Sequence, residues 1–167
     1  LIGRWNYYAT GTGTGRDLAN EIKLTSAKGV VGTQADLFSN AVRDSVTWMN
    51  DHFENVFVLR QVPEVSDYDS RHFARALAHR RMNETQMLSD QKIGRDALSK
   101  RNAISQDILN DLSGAGLIRV LDSRPYFCDA DACHALHDGV GQYFDNNHIT
   151  NTAALRVRRL FDPVFQD

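Results

Sequence analysis

Asp145 and His148 stand three residues apart in Tyr143-Phe144-Asp145-Asn146-Asn147-His148-Ile149-Thr150. On a turn, that spacing lets the carboxylate reach one imidazole nitrogen while the other nitrogen points into solvent. A carboxylate placed so fixes the tautomer of the ring and stabilises the imidazolium that forms when a hydroxyl gives up its proton. The pair therefore reads as a candidate acid–base histidine with its orienting acid. The competing reading of the same residues is a helix cap followed by a surface histidine.

A second group of candidate ligands is Cys128, Cys133, His134 and His137. Two thiols five residues apart, in a loop of small and acidic residues, can close a small disulfide ring, which implies an oxidising compartment. Two free cytosolic thiols are the alternative. A zinc site is a third, but adjacent Cys133 and His134 point apart in most backbones, and the spacing lacks the usual close cysteine pair with a distant histidine pair. A third group, Gly11-Thr12-Gly13-Thr14-Gly15-Arg16, has amides suited to anions. It lacks the lysine and hydroxyl of a phosphate loop and the Gly-x-Gly-x-x-Gly register, so it reads as a flexible loop beside the site. His52, His72 and His79 fall in helical or polar stretches, where a solvated face is the default. Arg71, Arg75, Arg80 and Arg81 form a locally basic group that can meet an anionic polymer or simply be the outer face of a helix.

The elements that must position these residues follow from periodicity. Residues 1–8 read as a strand end running into a loop, and 9–34, with five of the eleven glycines, as a long loop or insertion. Leu37, Phe38, Val42, Val46, Met49 and Phe53 recur at helical spacing and give a helix over 35–54, with Thr33 and Asp36 as its capping box. Val56-Phe57-Val58-Leu59 is a buried parallel strand. Residues 70–82 form a short helix. Residues 96–113 form another, with Ile104, Ile108 and Leu112 on one face and Gly114-Ala115-Gly116 as its stop. Residues 117–121 are the next strand, an irregular stretch holds the cysteines, and 151–161 is a closing helix with Ala154, Leu155, Leu160 and Phe161 as candidate core. Strand and helix alternating in this way predict an α/β fold with a parallel sheet, whose sites sit at the C-terminal strand ends.

Composition bounds the function classes. The chain has 167 residues, 42% apolar and 24% charged, with 19 basic and 21 acidic side chains for a net charge of −2. That is an ordinary single globular domain. The mixed charge gives no footprint for nucleic acid, and no apolar run approaches the length of a membrane span.

Asp145-Asn146-Asn147-His148-Ile149-Thr150, followed by Ala153-Ala154, resembles the Asp-x-x-His-Leu-Ser block of SGNH/GDSL hydrolases, most nearly in the SGNH domain fused to membrane acyltransferase-3 proteins. Gly3-Arg4-Trp5-Asn6-Tyr7, Val58-Leu59-Arg60-Gln61-Val62-Pro63-Glu64 and the pair Cys128/Cys133 match the same subfamily in the same order, over residues 1 to about 162. The resemblance implies a flavodoxin-like three-layer α/β/α domain, here 1–167 as one partial domain without its first strand and nucleophile segment. It implies an extracytoplasmic position, periplasmic or extracellular, on an inner-membrane protein. It also implies transfer of an acyl group, usually acetyl, from the acyltransferase-3 membrane domain to a hydroxyl of a cell-envelope polysaccharide, with no cofactor. His148 would be the general base and Asp145 its partner.

The family serine lies in a Gly-Asp-Ser block that nothing here matches. Asp44-Ser45 falls inside a helix and Asp122-Ser123 at a structural strand end, so the serine is expected outside this chain, which alone would be inactive. Where most relatives carry an oxyanion-binding Asn, this chain has Trp5, with Arg4 and Asn6 as substitutes. The alternatives are an SGNH esterase or deacetylase, a degenerate glycan-binding module that has lost its nucleophile, and an unrelated α/β binding domain with a chance Asp-x-x-His.

Overall fold

Thr33 caps the first amphipathic repeat as its sequence predicts. The Thr33 hydroxyl accepts the Asp36 N–H, and the Asp36 carboxylate accepts the Thr33 N–H at 3.0 Å, closing a capping box. In the computed structural model, which describes residues 1, 3–79, 81 and 91–166, the helix that follows spans Gln34–Asn50 (α2). It is preceded by a short helix, Trp5–Thr10 (α1), and followed by a strand, Phe57–Leu59 (β1). Among the described residues, the other α-helices and strands are Ser70–Ala78 (α3), Lys92–Gly94 (β2), Arg95–Gly114 (α4), Arg119–Leu121 (β3), Ala132–His134 (β4), Leu136–His137 (β5), Val140–Gly141 (β6) and Asn151–Val157 (α5). Met82, the expected end of the helix holding α3, and Arg80 of the basic group lie outside the described residues.

The chain divides into two compact units. The first comprises Leu1–Gly13, Asp17–Gln61 and Ser99–Asp122. Its sheet is parallel, with Val58 opposite Val120, as the apolar strand runs predict. Leu1 adds to the free edge of β1: its amine donates to the Phe57 carbonyl, and its carbonyl accepts the Leu59 N–H at 2.9 Å, the pattern of a parallel neighbour. Trp5, Phe38, Val42, Val46, Val58, Ile108, Leu109 and Leu112 are buried together. Each such large side chain stabilises the unit by roughly 1.5–3 kcal/mol relative to exposure.

The second unit comprises Thr14–Arg16, Val62–Leu98 and Ser123–Asp167. Val65, Tyr68, Phe127, Ala135, Tyr143, Ala153 and Val157 form its core. Among the described residues, two antiparallel pairs build its β structure: β2 with β4, Ile93 opposite Cys133, and β5 with β6, Leu136 opposite Gly141. Asp138 and Gly139 join the second pair with φ of 50° and 76°, the left-handed conformations that a tight two-residue hairpin turn requires.

Four expectations are corrected. The start of the chain is helical from Trp5, because the Trp5 ring packs edge-on against Phe38 and its indole N–H donates to the Leu59 carbonyl at 2.8 Å. The cysteine stretch is paired rather than irregular. The last α-helix ends at Val157 and continues as 3-10 turns over Arg158–Val164. Its buried face is Ala153 and Val157, while Leu155 is exposed. Phe53 lies beyond the end of α2 and is exposed as well.

Candidate active site

A closed turn in the second unit carries the Asp-x-x-His residues. Tyr143 and Ile149 face each other as an antiparallel bridge, and the Phe144 N–H donates to the His148 carbonyl at 2.8 Å. Inside the turn, Asp145 Oδ1 accepts the main-chain N–H groups of Asn147 (2.9 Å) and His148 (2.8 Å), the local side-chain-to-backbone bonding that aspartate favours in turns. Its Oδ2 lies 2.8 Å from His148 Nδ1. An ionised carboxylate can only accept, so Nδ1 carries the proton and neutral His148 keeps a lone pair on Nε2. The His148 side chain is 72% exposed, and Nε2 makes no hydrogen bond among the described residues.

The Asp145 carboxyl is held below the ordinary carboxylate pKa. Partial burial pushes its pKa up, but the two main-chain N–H donors and the His148 ring together outweigh that penalty.

Three anchors hold the turn. Asn146 is 2% exposed. Its Nδ2 donates to the Thr14 carbonyl at 2.9 Å, and its own carbonyl accepts the Val65 N–H at 2.9 Å. Ser70, at the start of α3, donates its N–H and hydroxyl to the Phe144 carbonyl at 3.0 and 2.7 Å. Thr150 then caps α5, its hydroxyl accepting the Ala153 N–H at 3.2 Å. The Gly-rich loop is thus tied down where it meets the turn: the Thr14 and Ser66 hydroxyls lie 2.9 Å apart, and the Arg16 N–H donates to the Ser66 carbonyl.

Arg4, Trp5 and Asn6 lie in the first unit, and each spends polar atoms there. Arg4 pairs with Asp17 at 2.8 Å and lies over the Tyr7 ring. The single donor of the Trp5 indole goes to Leu59. Asn6, 1% exposed, sits in a buried network in which its Nδ2 donates to Asn102 Oδ1 and its Oδ1 accepts from Ser105 Oγ, both at 2.6 Å. Of the serines set aside as nucleophiles, Ser45 lies within α2 and donates to the Ala41 carbonyl, and Ser123 is 1% exposed.

Cys128 and Cys133 form a disulfide, so their sulfurs are not thiolate ligands for a metal. His134 turns its Nε2 to Asp129 Oδ2 at 2.7 Å, and His137 Nε2 lies 3.5 Å from Asp138 Oδ2. The Asp129–His134 pair escaped sequence reasoning because its five-residue separation carries no pattern. The disulfide and the bridge between Cys128 and Cys133 bring the two together.

The family model described as SGNH domain (fused to AT3 domains) matches residues 1–163. Comparisons with curated proteins and with solved structures gave no match.

Proposed function

The chain belongs to the family of SGNH domains fused to AT3 domains, and on that premise we propose that it supplies the base and the orienting acid for acyl transfer to a hydroxyl of a cell-envelope polysaccharide. The observation that carries the reading is the Asp145–His148 pair, with Nδ1 held by the carboxylate and Nε2 open.

The chemistry follows from that tautomer. His148 Nε2 takes the proton of a serine hydroxyl, supplied by a Gly-Asp-Ser segment outside this chain, as the serine oxygen attacks the acyl carbonyl. The imidazolium is stabilised by Asp145 and gives the proton to the departing donor group, which leaves an acyl-serine. The acceptor sugar hydroxyl then loses its proton to Nε2 and attacks the ester. The acyl group passes to the sugar, and the proton returns to the serine. Water in place of the sugar makes the same machinery an esterase. The donor acyl group, acetyl in this reading, comes through the AT3 membrane domain. The Cys128–Cys133 disulfide supports an extracytoplasmic setting, since such bonds persist in oxidising compartments.

The test is acyl release from 4-nitrophenyl acetate by the chain joined to its serine-bearing segment. Activity is expected there and not in the 167 residues alone. His148→Ala should lower kcat by about 10³-fold or more. Undiminished turnover in that variant sinks the proposal.

A further inference from the structure

The second unit holds a cavity that the acyl-transfer chemistry does not use. Its volume is about 250 Å³, and its walls include Tyr126, Phe127, Asp129, His134, His137 and Arg156. At about 30 Å³ per water molecule, this is room for roughly eight waters, the scale of a single small ring.

The polar groups on the walls are of both senses and are fixed in place. Arg156 reaches the Tyr126 carbonyl with Nη2 and lies 5.5 Å from the Phe127 ring centroid, so its guanidinium is a held donor. Asp129 is a held acceptor: Oδ1 takes the N–H groups of Asp131 and Ala132 at 2.9 and 2.8 Å, and Oδ2 faces His134 Nε2. Because the carboxylate must accept there, neutral His134 carries its proton on Nε2 and offers Nδ1 as a further acceptor. His137 adds a ring that is 55% exposed. The Cys128–Cys133 disulfide brackets Asp129 and adjoins His134, tying the rim together.

An aromatic wall, one fixed cation and one fixed carboxylate leave the cavity without a dominant charge. Such a lining suits a ligand with an apolar ring face and hydroxyls that both donate and accept. We propose that this cavity is a binding subsite for one neutral pyranose unit of a glycan. Its service as an acceptor subsite rests on the acyl-transfer reading; the binding itself does not.

The test titrates the full chain with the methyl pyranosides of glucose, galactose and rhamnose, followed by ¹H–¹⁵N chemical shifts. At least one glycoside should bind, with shifts gathered on Tyr126–His137 and around Arg156. Arg156→Gln and His137→Ala should each weaken binding by about fivefold, the worth of roughly one hydrogen bond. If Arg156→Gln fails to fold, His137→Ala, on an exposed side chain, decides alone. Three outcomes overturn the proposal: no glycoside binds, binding survives His137→Ala unchanged, or methyl glucuronide is preferred, which would make Arg156 an unopposed anion site. The two readings fail separately. Ester cleavage that needs His148 without any glycoside binding removes the subsite alone, whereas His137-sensitive binding with ester cleavage indifferent to His148 removes the acyl-transfer reading alone.

Discussion

Asp145 holds His148 twice: Oδ2 meets the ring Nδ1 at 2.8 Å, and Oδ1 accepts the main-chain N–H of the same residue, also at 2.8 Å. One carboxylate therefore fixes both the backbone that carries the imidazole and the face the imidazole turns outward. A turn built this way sets the tautomer before any substrate arrives.

Asp145→Asn tests that link. The amide can still accept from the backbone through its oxygen, but its NH₂ group presented to Nδ1 favours the other tautomer and puts the ring proton on Nε2. Turnover of an ester substrate by the serine-supplied chain should fall on the order of 10³–10⁴-fold. The far-ultraviolet circular dichroism should stay as it is. A variant that keeps most of its kcat would mean that Asp145 does not set the tautomer of the base.

Acid stability should depend visibly on Asp129. Main-chain N–H groups of Ala132 and Asp131 and the His134 ring lower its pKa from the ordinary value of 3.8 to about 2. A folded pKa below the unfolded one means that the charged carboxylate stabilises the fold above about pH 4, and that this contribution fades as the pH falls toward 2. Asp129→Asn should flatten the dependence of Tm on pH between pH 4 and pH 2 while changing it little between pH 6 and pH 7. A wild-type slope retained in the variant would assign the acid sensitivity to other groups, Asp145 and Asp36 first among them.

The elements that sequence reasoning placed are those whose signal is local. The run Val56–Leu59, the repeat Phe38/Val42/Val46, the Thr33–Asp36 cap and the Asp145–His148 spacing each report on neighbours within a few residues. What escaped depends on distant partners. α1 is built from Trp, Asn and Tyr, which are weak helix formers, and its start is held by contacts of Trp5 with Phe38 and Leu59. β2 pairs with β4 some forty residues away, and each strand is three residues long, too short for alternation to register. Asp138-Gly139 is a dipeptide that favours hairpins, but its flanking strands of two residues give it no frame, and the turn went unread in the sequence. In α5, the hydropathy of Leu155 points to the core, whereas the helix turns the smaller Ala153 and Val157 inward.

Reduction should loosen the second unit measurably. Closing a ring of about six residues restricts the unfolded chain by about 2 kcal/mol in the loop-entropy account. Cys128→Ser paired with Cys133→Ser should lower the unfolding free energy by about that amount, read from urea denaturation. Without reductant, the native protein should take up no maleimide. Labelling of both cysteines in protein kept from reductant would contradict the bond and the proposed extracytoplasmic setting together.

Gly15 is the position where a single methyl group should reach the proposed base through the backbone. Its φ is +53°, and a Cβ there would lie 1.8 Å from the Ser66 carbonyl oxygen, a contact that no rotamer can relieve. Gly15→Ala therefore adds to the ordinary left-handed penalty of about 1–2 kcal/mol the cost of moving the loop off Ser66. The neighbouring Thr14 carbonyl is the acceptor for Asn146, whose main chain lies between Asp145 and His148. Displacing it should disorder the turn as well as lower Tm. The measurable signature is a change in the chemical shift and exchange rate of the His148 Nδ1 proton in Gly15→Ala, at a temperature where the variant remains folded. Val46→Ala, a core truncation in the first unit costing about 2 kcal/mol, serves as the control for lost stability alone. If both variants lose stability and only Gly15→Ala moves that proton, the loop positions the base; if neither moves it, the turn is held by Val65 and Ser70 without the loop's help.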